Sequence, residues 1–309
     1  LWGNEEIKVM MPVFVAEGII APFRKKGIQV VFYKIKSDLA PDLNDMIDKI
    51  SQTPDIKCII ALHYFGVPVN LNPLKSICTK NNILLFEDCV HALFSRNANG
   101  EYIGKVGDIS FFSFPKILPV PDGAIFFINH PRLYCLAKNI RYKRCVYGKL
   151  MVWTHLIFLL IKKVEVKLNY SMAYKAMNAA SKAIYGYYYF LLNRMIKPQP
   201  MSKQTNTILK NIDYEKIIAI RVKKTNEIYS AMKLWKIKSL VKNYDEKWLL
   251  TGVPMVSKNR QKTVKLLRKK NVECLVYSKH WNFMPIDEGD EYCFEDELLN
   301  THFLLPIHE

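Results

Sequence analysis

The chain has 309 residues, half of them hydrophobic, and a formal net charge of +17. That length and apolar content allow a large core and two domains, and they exclude a disordered chain or a small disulfide-stapled scaffold. The charge is local: between Asn129 and Lys210 there are 15 Lys or Arg against one acid, Glu165, an excess of +14.

In chain order, Lys8 to Met11 and Ile28 to Ile35 are β-rich apolar runs, and Leu43 to Ile50 has helical spacing. Cys58 to Tyr64 is the next strand candidate. Val69 to Asn82 reads as a helix that Asn72 caps, with Pro73 in its first turn and Asn81-Asn82 at its end. Strand Ile83 to Phe86 runs into Glu87-Asp88, and a further strand-like run, Ile109 to Phe114, precedes a turn at Asp122-Gly123. This alternation predicts an α/β fold, a mainly parallel sheet sandwiched by helices.

From Pro131 to about Ile196 the pattern is helical, and Pro198 and Pro200 mark a break. A long helix over Tyr214 to Trp235 follows, then strand Trp248 to Val256, helix Arg260 to Lys270 and strand Val272 to Tyr277. The expected organisation is a large α/β domain over 1–130, a basic helical insert over 131–212 and a smaller C-terminal α/β domain over 213–309.

Seven cysteines without a CxxC pair argue against a disulfide framework and a zinc site, so no metal is expected and a cytoplasmic setting fits. No secretory leader pattern opens the chain. The first residue is Leu1, which points to a start inside a longer chain.

The basic block could attract nucleic acid, an anionic membrane surface or phosphorylated small molecules, or be a solvated face. Arg141, Lys143 and Arg144 are not interleaved with the aromatic run Tyr185, Tyr187, Tyr188, Tyr189 and Phe190, as a base-stacking groove would require, so nucleic acid is not expected. Met151 to Ile161 is apolar but short of the roughly 20 residues that cross a bilayer. Flanked by Lys149, Lys162, Lys163 and Lys167, it suits a peripheral membrane contact, or else a core or dimer-interface helix.

The stretch Phe86 to Ala124 carries the chemistry. An apolar strand ending in Glu87-Asp88 delivers a carboxylate to the rim of a sheet, where open α/β folds bind ligands. Lys116, bracketed by Pro115, Pro119 and Pro121, follows the next strand. A carboxylate and a lysine at neighbouring strand ends suggest cofactor chemistry. Each residue also has an ordinary role: Asp88 a cap of a helix over CVHAL, His91 a core histidine on the same face of that helix, Lys116 a surface lysine.

The order IIALHYFGVPVNLNPL, ILLFEDCVHAL and GKVGDISFFSFPKILPVPDGA resembles the pyridoxal-phosphate-dependent sugar aminotransferases of the DegT/StrS type, with the aspartate-aminotransferase fold, also called fold type I. The resemblance covers most of the chain except the basic insert, and at the C-terminal end it rests on Asn271-Val272 and Leu305 to His308. It implies Asp88 as partner of the cofactor's pyridine nitrogen, His91 beside the ring, Ser113 on the phosphate and Lys116 as the Schiff-base lysine in a dry cleft. It further implies a nucleotide-linked keto-sugar substrate, glutamate as amino donor and a homodimer.

Four departures mark an atypical subgroup with a KxLPVPDG loop. The Ser113–Lys116 interval is two residues shorter than usual, and the usual Gly-Gly is Gly123-Ala124. Ala16 stands where many members stack an aromatic ring on the cofactor, with Phe14 the nearest aromatic. The Gly-Thr or Gly-Ser phosphate turn that precedes this region in typical members has no counterpart in the sequence, and Leu1 to Pro12 resembles the stretch that normally follows it, so an N-terminal piece of the family domain is expected to be missing. A cofactor-fold protein that no longer catalyses, and a basic membrane-surface protein, are the competing readings.

Overall fold

The computed structural model describes residues 6–140, 146–165, 172–194, 199–276 and 291–307. Leu1, Arg141, Lys143, Arg144, Lys167, Ile196, Pro198, Tyr277 and His308, which entered the sequence reading, lie outside the described residues. The chain divides into two compact units: Leu1–Phe112 with Phe126–Leu133 and Tyr214–Glu309, and Ser113–Ile125 with Tyr134–Asp213.

The chain opens with β1 (Lys8–Pro12), α1 (Glu17–Lys25), β2 (Gln29–Tyr33), α2 (Leu43–Gln52), β3 (Ile56–Leu62), α3 (Asn72–Lys80), β4 (Leu84–Asp88), β5 (Ile109–Ser113) and β6 (Ala124–Ile128). These strands form one sheet in the order β2-β1-β3-β4-β5-β6, parallel in every pairing from β2 to β5. Parallel neighbours need crossovers; α1, α2 and α3 supply those that link β1 to β4, and the turns of residues 89–108 carry the chain from β4 to β5. β1 and β3 are buried along nearly their whole length, which is why they read as unbroken apolar runs rather than as alternation.

At the helix starts one local expectation changes in detail. Asp42 caps α2, accepting from the N–H groups of Asn44 and Asp45. Asn72, however, is the first residue of α3 and not its cap; its N–H donates to Asn70 Oδ1 at 3.1 Å, a shorter-range bond that holds the entry turn. Asn81 is the C-cap as expected, and Asn82 turns the chain out with a φ of 55°.

Beyond the sheet come α4 (Pro131–Lys138), α5 (Val146–Glu165), α6 (Met172–Arg194), α7 (Lys203–Asn211), α8 (Tyr214–Leu234), β7 (Lys238–Ser239), β8 (Gly252–Val256), α9 (Arg260–Lys269), α10 (Cys293–Thr301) and β9 (His302–Pro306). The C-terminal strands form an antiparallel sheet, β7-β8-β9, with its own core of Val253, Met255, Phe303 and Leu305. Of the strand expected over Val272 to Tyr277, the described residues show one bridge, Leu275 to Leu304. β8 pairs with β9 over five residues, and β9 is buried almost throughout.

Within the first unit, the Glu87 side chain holds the end of β4 in place. Its Oε1 accepts from His63 Nε2 at 3.0 Å and Gly104 N at 2.8 Å, and its Oε2 from Val106 N at 3.1 Å, Gly107 N at 2.8 Å and Ser110 Oγ at 3.2 Å. His63 Nδ1 accepts from Val69 N, so the ring proton lies on Nε2, facing the carboxylate. Burial by itself would raise the Glu87 carboxyl, but the bonds from His63, Gly107 and Gly104 outweigh it, and its pKa is pulled down to about 2. A Cβ at Gly107 would come within 2.8 Å of Glu87 Cβ, so glycine is required there. Next to it, Asp108 Oδ2 accepts from Leu85 N at 2.8 Å and Oδ1 pairs with Lys75 Nζ at 2.7 Å, tying β4 to β5 and to α3.

In the second unit, the loop after β5 is tied to the start of α7. The Asp122 carboxylate accepts from Ser202 N at 3.0 Å, from Ser202 Oγ at 2.7 Å and from Thr205 Oγ1, while Ser202 caps α7. Gly123 has a φ of +111°, and a Cβ there would meet Phe114 at 2.7 Å. Elsewhere in this unit α5 packs on α6 through rings, His155 against Tyr188 at 5.2 Å and Phe158 against Tyr185 at 5.4 Å.

Glu87 makes stability depend on acid. Its folded pKa of about 2 lies below the ordinary 4.5, so its contribution is complete above pH 4.5 and lost as pH falls toward 2. The full contribution is about 3 kcal/mol at roughly 1.4 kcal/mol per unit. Urea melts across this window are expected to fall less steeply for Glu87→Gln than for the unmodified chain, with the variant less stable at pH 7. Replacing Asp122 by Ala is expected to cost about 2 kcal/mol in the same assay, because the donors of Ser202 and Thr205 lose their acceptor; Asp122→Asn should recover part of it.

Candidate functional site

Asp88 is the last residue of β4, in register between Leu62 of β3 and Phe111 of β5, and 1% exposed. Its backbone is held on the β3 side, where its carbonyl accepts from His63 N at 3.0 Å, and the next residue is held by β5 through Cys89 N to Phe111 O, also 3.0 Å. The segment CVHAL that follows is a series of turns and not a helix. The same-face relation of His91 to Asp88 on a helix is therefore wrong. Asp88 Oδ1 instead accepts from Val90 N at 3.0 Å, an Asx turn that competes with helix initiation and redirects the chain.

That turn places the half-buried His91 ring parallel to Phe65, with an interplanar angle of 2° and centroids 6.4 Å apart. Phe65 takes the left-handed conformation, φ 59°, which is strained for a residue with a Cβ, and its carbonyl accepts from Thr251 N at 2.9 Å. Gly66 follows at φ +103°, and a Cβ there would lie 2.5 Å from Leu249 O and 2.9 Å from His91 O. Ser95 joins the same strands of chain, donating to Gly66 O and accepting from Leu249 N.

Behind this layer the rings are committed to the core. Phe14 is 3% exposed, tilted against Tyr64 and edge-on to His302, and Ala16 is only partly buried beside that core. The Tyr33 and Tyr64 phenols are pushed up by burial, and the Asp88 charge adds to the effect. Both serve as donors, to Ile60 O and Phe14 O. Burial, with Glu87 and Asp88 nearby, likewise pushes the Cys89 thiol up, so it is no nucleophile. Burial pulls His302 down to about 4, and its Nδ1 donates to Leu298 O at 2.6 Å.

Ser113 and Lys116 belong to the second unit. Ser113 ends β5 and precedes a 3₁₀ turn over Phe114–Lys116, from whose N–H groups its side chain accepts no capping bond. Phe114 O accepts from Ile117 N at 3.0 Å and Leu118 N at 2.7 Å, and Phe114 N donates to Gly123 O at 3.1 Å, closing the loop at its base. Ile117, Leu118 and Val120 are buried, whereas Lys116 is exposed. The turn spends its buried positions on these apolar neighbours, and Lys116 takes the exposed one.

The structure brings Asp88 and His91 together at the end of β4, and it sets Ser113 and Lys116 on the closed loop of the second unit. Sequence reasoning named Glu87 only as part of the strand-end acid pair and passed over its partners His63, Gly104 and Gly107. The acid pair Glu87-Asp88 and the closely spaced glycines of GKVGD were the available signal, since successive strand residues face opposite sides and the two acids need different partners. The polar atoms of His63, Glu87 and Cys89 lie within 4.8 Å of one another, a geometry that could gather a cation. Both His63 nitrogens and both Glu87 oxygens are engaged by the protein itself.

Comparison with known proteins agrees with the motif resemblance. Residues 4–184 match the DegT/DnrJ/EryC1/StrS aminotransferase family. The chain is 33% identical over 106 residues to dTDP-4-dehydro-2,3,6-trideoxy-D-glucose 4-aminotransferase of Saccharopolyspora spinosa, covering 34% of this chain and 27% of that one. It is 32% identical over 134 residues to GDP-perosamine synthase of Escherichia coli O157:H7, covering 42% and 36%. The matches therefore span about a third of the length of these relatives. Helicobacter pylori PseC, an aminotransferase involved in the biosynthesis of pseudoaminic acid, superposes with a TM-score of 0.65 at 15% identity over 99% of this chain and 76% of that one, a likeness of fold. With more than half of its length matched, the chain belongs to the DegT/DnrJ/EryC1/StrS aminotransferase family.

Proposed function

We propose that this protein is a pyridoxal-phosphate-dependent aminotransferase that aminates a nucleotide-linked keto-sugar, with glutamate as donor, in surface-polysaccharide or amino-sugar biosynthesis. The observation that carries the reading is Asp88: a carboxylate 1% exposed at the carboxyl end of a central parallel strand, backed by the Glu87 clamp. A buried carboxylate suits a protonated pyridine nitrogen, and the bound cofactor then supplies an electron sink. The relatives, whose names specify dTDP- and GDP-linked sugars, support the substrate class.

In this reading Asp88 holds the proton at the pyridine nitrogen. His91, its plane set by Phe65, lies beside the ring, and Ser113 donates to the phosphate. Lys116 would hold the cofactor through its amine, and that amine would carry a proton at the α-carbon of the donor. The proposed assembly is a homodimer in the cytoplasm. The exposed Lys116 and the shortened loop favour a second reading, a cofactor-binding protein without turnover.

Borohydride reduction of the full-length protein with pyridoxal phosphate, followed by peptide mass spectrometry, is expected to place the adduct on Lys116. An adduct elsewhere, or none, overturns the assignment, and an adduct without transamination selects the second reading. Asp88→Asn is expected to keep the adduct while lowering transamination by about two orders of magnitude, the scale of losing one electrostatic stabiliser.

A further inference from the structure

Among the described residues, exposed large apolar side chains gather on one face of α5. Leu150, Trp153, Ile157, Leu160 and Val164 are 39, 60, 47, 65 and 49% exposed. Spaced three and four residues apart, they fall within an arc of about 80° and run for about 20 Å along the helix. The opposite face is packed: Met151, Val152 and Thr154 are buried, and His155 and Phe158 contact Tyr188 and Tyr185 of α6. On α6 the half-exposed Tyr187 and Phe190 stack on each other at 6.2 Å. A continuous apolar stripe of this kind on a helix marks a surface that meets something other than water.

Charge decides what covers it. The segment bearing the stripe has 15 Lys or Arg against one acid from Asn129 to Lys210, and Lys149 and Lys182 on the two helices are exposed. A second copy of this face would bring the same excess and be repelled, whereas an anionic lipid surface is attracted to it. Trp153 in the middle of the stripe is of the residue type enriched at the headgroup boundary. No helix among the described residues is long and apolar enough to cross a membrane, so the element would lie along the surface rather than span it.

We propose that the α5–α6 pair is a peripheral docking element whose α5 stripe enters the interface of a bilayer rich in anionic phospholipid. The inference does not rest on the catalytic reading. It predicts that the full-length protein floats with phosphatidylcholine vesicles containing phosphatidylserine, not with phosphatidylcholine alone, and that high salt weakens the association. Trp153→Glu with Leu160→Glu should reduce flotation by about tenfold or more while circular dichroism and sedimentation mass stay unchanged. Lys149→Gln with Lys182→Gln, which leaves the stripe intact, should weaken flotation at low salt. Absence of flotation on anionic vesicles at low salt overturns the proposal, as does flotation that the glutamate pair leaves intact. A fall in oligomer mass on introducing that pair also overturns it, since it would mean that a second copy covers the stripe.

Discussion

A buried, ionised Glu87 is the interaction on which the rest of the described site depends. A carboxylate taken out of water is costly, and here that cost is offset by donors from three places in the chain: His63 at the end of β3, the Gly104–Gly107 turn, and Ser110 on β5. The same bonds that keep it charged thereby hold the ends of three adjacent strands in one geometry. Asp88 is the next residue, and in a strand its side chain faces the other way. Glu87 thus anchors the scaffold, and Asp88 is presented from a strand end that cannot shift without breaking five hydrogen bonds.

Backbone conformation extends this rigidity to His91. The left-handed Phe65, the closely approached Gly66 and the buried Ser95 hydroxyl lock the loop after β3 against the loop after β4. Strain of about 1–3 kcal/mol at a residue such as Phe65 persists only where neighbours over-determine it. The rings behind it, Tyr64, Phe14 and His302, supply that constraint.

The second unit is organised by a different device. Asp122 gathers the donors of Ser202 and Thr205, so the proline-rich loop that carries Lys116 is tied to the start of α7. The long α5–α6 pair then presents two unlike faces, one filled by rings and one apolar and uncovered. The family model matches residues 4–184, and the matched curated relatives share only about a third of their length with the chain.

The alternation of apolar runs with helical segments determined the parallel sheet, because strands buried on both faces must be continuously apolar whatever surrounds them. The motif order from Ile59 to Ala124 likewise sufficed to name the family, and the local charge excess was legible as composition. Tertiary structure decided the rest. Whether Asp88 caps a helix or ends a strand depends on competition between an Asx turn and helix initiation, settled by the β3 and β5 neighbours that fix its backbone. The partners of Glu87 lie up to 24 residues away in the chain, so the acid pair and the glycines of GKVGD could signal a buried turn but not which groups would meet in it. The exposed face of α5 became visible only once α6 had covered the other, since apolar residues surround the whole helix and periodicity alone does not say which side is packed.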